Sequence, residues 1–539
     1  MSSPGNQESQ IASPGPEIST AGEPGRPLTA ASIWQLVKLR SEADPHRILA
    51  MDEKGRELRY GQLRERAEAV AAGLTDIGIR PGDVVSWQLP SRLDTIVLFT
   101  ALARLQVIQN PLITMLREHE VEFICSQTQS RLLIVPSVFR GFDHLAMARS
   151  IAGRGIGMDV LDADSGLPTG DPATLPPEPD LSAEQSAAAV RWLFYTSGTT
   201  AAPKGAQHTD YGLLAASQTF CANMMLQPDD RTASLAPIAH VGGVLHVLSA
   251  IATGSRIVIT EVFDPATTPE QLSAAGVTLG GSGVPFIQVY LRRQREQRGQ
   301  PFFPRARAFL VGGSPRPPSL HYDVKRELGG AGIVSGYGLT ECPYLSWGRV
   351  DDPDEKLATS EGRPAPPTQI KILDADGMKV AAGESGELRV RAPQLMFGYL
   401  DSALDRDAFD EEGFFRTGDL AKVDVDGYLT ITGRIKDVII RNMENISARE
   451  VENMALTFPK AQEMAAIGLP DRETGERVVA VVVPADPASP PTLEELCAHL
   501  REAGLNPRKL PVQLELVADL PRNAMGKVMK KDLRAQFEP

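Results

Sequence analysis

The chain has 539 residues, 42% hydrophobic and 23% charged, a globular composition long enough for several domains. Its net charge is −13 and its sequence pI about 5.3, with no long basic run, which argues against nucleic acid as a partner. Cys125, Cys221, Cys342 and Cys497 lie far apart without metal-ligand spacing, pointing to a reduced, cytoplasmic protein, and no uncharged apolar run is long enough to make an integral membrane segment.

In chain order, residues 1–28 are rich in Pro, Ser, Gly and Glu, with neither a basic start nor an apolar centre, so a disordered tail is expected rather than a signal peptide. Leu63, Ala67, Val70 and Leu74 recur at helical spacing, and a turn at Pro81-Gly82 leads into a strand around Val84 and Val85. Short apolar runs at residues 132–135, 257–259 and 308–311, with helical stretches between them, predict an α/β region of layered, largely parallel sheets and helices across residues 29–435. The pattern changes after Gly433. Ser447 to Glu450 and Thr492 to Glu495 each read as a capping box opening a helix, Leu493, Leu496 and Leu500 give the second helix an apolar face, and residues 478–483 form a strand. Residues 436–539 are therefore expected to form a small, mobile α+β C-terminal domain.

Six stretches carry chemistry. "YTSGTTAAPKG" (195–205) follows the apolar run Trp192, Leu193 and Phe194. Backbone N–H groups around Gly198, hydroxyls of Thr196, Ser197, Thr199 and Thr200, and the charge of Lys204 suit a polyphosphate; an ordinary Ser/Thr-rich surface turn is the plainer alternative. A P-loop would need Gly-Lys-Ser/Thr, whereas Lys204 precedes Gly205. "GYGLTE" (336–341) offers an aromatic face, a hydroxyl and a carboxylate, and "GGSP" (312–315) follows an apolar run. "RTGD" (416–419) and "GRIKD" (433–437) place Asp419 and Arg434 in polar turns, where a surface ion pair would be the plainer reading. "PRNAMGK" (521–527) puts Lys527 near the end.

Taken in chain order, these six motifs, spread over most of residues 30–539, resemble the adenylate-forming enzymes: acyl-CoA synthetases, peptide-synthetase adenylation domains and firefly luciferase. The resemblance implies an adenylation domain at 29–435 and ATP, Mg²⁺ and coenzyme A as cofactors. It implies ATP/AMP contacts from Thr196, Ser197, Gly198, Thr199, Thr200, Lys204, Gly312, Gly313, Ser314 and Gly338, with Tyr337 stacked on adenine and Asp419 and Arg434 on the ribose. It makes Lys527, Thr340, Glu341 and His240 catalytic, Glu341 and Thr200 metal ligands, and Lys436 the domain hinge. Lys527 would bridge substrate carboxylate and α-phosphate, two anions that otherwise repel.

Amino-acid-activating relatives carry an aspartate in the motif that reads "PIAHVGG" (237–243) here, so an amino acid is disfavoured. His240, Val244, Ser282, Gly283, Val284, Leu339 and Pro343 would line a mostly apolar acyl pocket suited to a hydrophobic monocarboxylic acid. "IIRNMENISAREVE" is most like ligases for medium-chain, alicyclic or aryl acids. Two departures stand out. Ala201 replaces a usual glycine, and Asn442-Met443 replace two glycines where, with Glu444, the CoA channel is expected. Asparagine tolerates the left-handed conformation and methionine does so poorly, so adenylation is better supported than thiol transfer. A carrier-protein thiol or an amine as acceptor, or a silent nucleotide-binding regulator, are the alternatives; the protein itself is expected as a monomer or homodimer.

Overall fold

The computed structural model describes residues 27–178, 180–196, 203–297, 299–313, 316–441, 444–522 and 527–538. The expected sites Ser197, Gly198, Thr199, Thr200, Ser314, Asn442 and Met443, and the altered position Ala201, lie outside the described residues, as does the side chain of Glu444.

Two α/β sheets form the larger part. A nine-stranded sheet carries parallel strands Arg256–Ile259, Arg231–Ser234, Leu279–Ser282, Ala308–Gly312 and Ile333–Tyr337, with antiparallel strands at its edges. A seven-stranded sheet places Val84–Trp87 between Ile108–Pro111 and Leu132–Val135, all parallel. Leu132–Val135 is buried at every position, as expected for a strand covered on both faces, which explains why such strands read as continuous apolar runs. The helix Tyr60–Asp76 buries Leu63, Ala67, Val70 and Leu74, and joins one core with Val241–Thr253. Leu28, assigned to the tail by composition, donates its N–H to Ala252 O at 2.8 Å and packs on this core.

A four-stranded antiparallel sheet spanning Gln369–Leu373 to Leu429–Arg434 follows. The 3₁₀ turn Ile435–Asp437, with Lys436 exposed, leads into a separate five-stranded sheet. Its strands Ala461–Asp471 and Gly475–Pro484 carry apolar clusters on both faces. The helix Leu493–Glu502 opens with the expected reciprocal capping box at Thr492 and Glu495. The box expected at Ser447 is only half formed. Ser447 Oγ accepts the Glu450 N–H at 3.3 Å, but the Glu450 carboxylate accepts from Lys509 at 2.7 Å instead of closing the box. A full positive charge outcompetes a neutral N–H for that carboxylate.

The smaller domain meets the larger through polar contacts. Ser447 Oγ donates to Thr432 O at 2.6 Å, and Arg449 Nη2 lies 3.3 Å from Glu361 Oε1. Among the described residues no helix is long and apolar enough to cross a membrane, and all four cysteines are free and buried.

Candidate active site

The loop that raises the polyphosphate question joins two antiparallel strands, Val190–Thr196 and Lys204–Thr209. Thr196 and Lys204 are register partners at its base, so backbone pairing fixes where the loop leaves and re-enters the sheet. Lys204 Nζ sits 5.3 Å above the ring of Tyr399, whose short strand Gly398–Tyr399 pairs with the hairpin's second strand. The Tyr399 hydroxyl donates to Glu341 Oε1 at 2.8 Å. One tyrosine thus links the lysine of the loop to the carboxylate of "GYGLTE". Burial, and then the Glu341 charge, push the Tyr399 pKa up, so the phenol stays a proton donor.

A second tie runs to the preceding residue. His208 Nε2 donates to Thr340 O at 2.8 Å, and burial pushes the ring pKa down to about 4, so the imidazole is neutral. Neither Tyr399 nor His208 is prominent in the sequence; each is brought in by strand pairing rather than by a local motif.

Adjacent strands deliver the next group. Ala308–Gly312 and Ile333–Tyr337 run parallel with Gly312 opposite Gly336, so "GGSP" and "GYGLTE" emerge side by side from the C-terminal ends of the sheet, the usual location for a ligand crevice. Gly313 has φ 75°. At Gly338 a Cβ would stand 2.5 Å from Tyr344 N, so only glycine fits beneath that chain. The Tyr337 hydroxyl donates to Asp419 Oδ2 at 2.5 Å, and Asp419 Oδ1 lies 2.9 Å from Arg434 Nε. Asp419 and Arg434 face each other across antiparallel strands. The nine-stranded and four-stranded sheets therefore meet at this carboxylate, which is 3% exposed.

His240 caps the helix Val241–Thr253, its Nδ1 accepting the Gly242 N–H at 3.1 Å, which leaves the proton on Nε2. Burial, and then Lys527, hold its pKa down to about 4. Lys527 itself has its pKa lowered, first by burial and then by Arg434, with Asp419 and Glu341 opposing. The lysine keeps exposed surface while protein stands around it, as a group lining a cleft does. Lys527 of the smaller domain thus shares one electrostatic neighbourhood with Glu341, Asp419, Arg434 and His240 of the larger. Lys436 is also lowered, by burial and then by Arg434.

Of the expected acyl-pocket residues, Val244 is fully buried in the main core, Gly283 and Pro343 are buried, and Val284 and Leu339 are partly buried. Ser282 Oγ is enclosed with no hydrogen-bond partner among the described residues. No group of three or more His, Cys, Asp or Glu among the described residues would hold a metal alone. Glu341 as a single hard oxygen donor fits Mg²⁺, which is commonly held by one or two carboxylates with substrate phosphates and water.

Residues 38–400 match the profile of the AMP-binding enzyme family, and residues 450–527 that of the AMP-binding enzyme C-terminal domain. The chain belongs to the AMP-binding enzymes. It is an adenylate-forming ligase with a large α/β N-terminal domain and a smaller C-terminal domain. The medium-chain fatty-acid–CoA ligase of Escherichia coli is 29% identical over 528 residues, covering 94% of this chain and 89% of that one. The salicyl-AMP ligase / salicyl-S-ArCP synthetase of Mycobacterium tuberculosis is 33% identical over 509 residues, covering 89% of this chain and 85% of that one. Among solved structures, the o-succinylbenzoate coenzyme A synthetase of Bacillus subtilis in complex with ATP and magnesium ion has a TM-score of 0.79 at 26% identity. That match covers 92% of this chain and 98% of the other.

Proposed function

We propose that this adenylate-forming ligase activates a hydrophobic monocarboxylic acid and transfers the acyl group to coenzyme A. The observation that supports this most is that Lys527 lies in the same electrostatic neighbourhood as Glu341, Asp419, Arg434 and His240, beside the paired strands that carry the motif residues. In the first step a carboxylate oxygen of the acid attacks the α-phosphorus of ATP. The bond to the bridging oxygen of the β-phosphate breaks, and pyrophosphate leaves with that electron pair. Lys527 sits between the reacting anions and offsets their repulsion. Lys204 neutralises phosphate charge, and Asp419 accepts from the ribose hydroxyls beside Arg434. Glu341, fixed by Tyr399, would hold Mg²⁺, which would supply further charge neutralisation on the phosphates. His240 stays neutral beside the acyl carbonyl, since an imidazolium there would oppose Lys527.

In the second step the smaller domain rotates about Lys436 and removes Lys527. A thiolate attacks the acyl carbon, and AMP leaves from the tetrahedral centre with the electrons of the C–O bond. A carrier-protein thiol is the second reading, supported by Asn442-Met443 at the expected channel and by a relative named for a carrier-protein product at 33% identity.

A pyrophosphate-release screen over a carboxylic-acid panel, with and without coenzyme A, tests the proposal. AMP and pyrophosphate with an apolar acid, and a thioester only when coenzyme A is added, are expected. ADP as product, or no turnover with any acid, refutes it.

A further inference from the structure

A basic cavity lies at the other end of the nine-stranded sheet. Arg231 and Arg256 are the first residues of the parallel strands Arg231–Ser234 and Arg256–Ile259, and they are direct register partners. The candidate active site forms beyond the C-terminal ends of the same sheet, so a strand of about 13 Å separates the two ends at ~3.3 Å per residue. Together with Arg47, Arg59 and Arg305, these residues line a cavity of about 360 Å³. Five guanidinium groups are gathered here in a chain whose net charge is −13.

The nearby acids pair with only two of them among the described residues. Arg47 pairs with Asp229 at 3.3 Å and Arg59 with Glu57 at 3.1 Å. Asp230, although it borders the cavity, is engaged by Arg307 at 2.7 Å and by the Thr278 hydroxyl at 2.7 Å. The Arg231 guanidinium donates to a carbonyl, Ala275 O, at 2.5 Å. Among the described residues, Arg231, Arg256 and Arg305 have no carboxylate partner. Arg256 carries the strain of this arrangement. Burial, and then Arg231, push its pKa down, with Arg47 and Arg59 adding to the effect and Glu57 opposing it.

Three unneutralised guanidiniums in one small cavity call for a ligand with several closely spaced negative charges. Guanidinium forks match phosphate oxygens two at a time, and a cavity of about 360 Å³ lies at the small end of the range for ligand pockets. We propose that this cavity is a second anion site, separate from the active site, that binds a small ligand carrying two or three linked phosphates. Its placement lets it be filled while the active site turns over.

The test uses the full chain and tripolyphosphate as probe, by titration calorimetry at low salt, with and without saturating α,β-methylene-ATP. Wild type is expected to show one tripolyphosphate site that the nucleotide does not displace. Arg256→Gln/Arg305→Gln should weaken that site at least about tenfold, since two charge-assisted contacts are lost. Pyrophosphate release in the acid screen should remain unchanged in the same variant. Arg305→Glu, at an exposed position, is the second variant should the double substitution unfold, and it should weaken the site as much. Parallel titrations with pyrophosphate, coenzyme A and dephospho-coenzyme A distinguish free oligophosphate from a phosphorylated cofactor as the source. Absence of any nucleotide-resistant site, unchanged affinity in the variants, or citrate binding as tightly as tripolyphosphate would overturn the proposal.

Discussion

Replacing Tyr399 by phenylalanine removes one oxygen and leaves the ring. The ring is 5% exposed and lies under Lys204, a contact that phenylalanine keeps. What disappears is the donor to Glu341 Oε1 at 2.8 Å. A hydrogen bond to a charged acceptor contributes about 1.5–3 kcal/mol, and each ~1.4 kcal/mol of lost transition-state stabilisation is tenfold in rate. Glu341 is partly solvent-accessible, so water replaces part of the lost bond and the lower end of that range applies. Tyr399→Phe should therefore slow acyl-AMP formation about tenfold and raise the Mg²⁺ concentration needed for half-maximal rate. Stopped-flow pyrophosphate release across a Mg²⁺ series reads both quantities. Thioester formation from supplied acyl-AMP should be unchanged, which separates positioning of the carboxylate from general damage. An adenylation rate equal to wild type at every Mg²⁺ concentration would refute the link from Tyr399 to Glu341 as the proposed metal ligand.

Lys527→Ala should nearly abolish acyl-AMP formation while sparing thioester formation from supplied acyl-AMP; equal loss in both half-reactions, measured by AMP and thioester yield, speaks against its role as a bridge. Lys436→Pro fixes φ near −65° at the turn between the domains, and should leave adenylation largely intact while blocking transfer to the thiol; the opposite pattern contradicts the hinge. His144, His208 and His246 are buried, with pKa values pushed down by that burial from 6.5 to about 4. Between those values the unfolded chain binds protons that the folded chain refuses, so this stability is fully present above pH 6.5 and is lost as pH falls towards 4, by about 3 kcal/mol per group. Thermal midpoints should fall over that window, and His246→Leu should make the fall shallower; an identical slope in that variant counts against the assignment.

Local chemistry was the legible part. The apolar runs of parallel strands and the helix on Leu63 and Leu74 announce themselves because burial on both faces, or on one stripe, sets their spacing. The motif stretches group by their resemblance to the adenylate-forming enzymes rather than by residue type alone, and Tyr337, Asp419 and Arg434 do come within hydrogen-bonding distance. What could not be read is what strand pairing brings from afar. Tyr399 reaches Lys204 and Glu341 only because Gly398–Tyr399 adds to a hairpin nearly two hundred residues earlier, and no local pattern encodes that register. The half-formed box at Ser447 failed for a related reason, since Lys509 lies 59 residues from the carboxylate it captures. The basic cavity is likewise assembled from strand ends whose arginines look like scattered surface charge along the chain.

The contacts between the domains bear on whether the proposed rotation is energetically accessible. Glu361 is 7% exposed, and a carboxylate buried that deeply is costly to strip of its partners. Arg449 of the smaller domain is only one of them. Arg316 stands 3.8 Å away within the larger domain, and the Ile431 N–H donates to Glu361 Oε2 at 3.0 Å. Rotation about Lys436 would take away Arg449 and leave these two in place, so the carboxylate is never orphaned. The Ser447 bond to Thr432 O is a single neutral hydrogen bond, worth about 1 kcal/mol net once water replaces it. These two polar contacts contribute a few kcal/mol to holding the smaller domain in place, on the order of the differential binding a ligand can supply. A large apolar seam at the same place would have locked the enzyme in one half of its reaction.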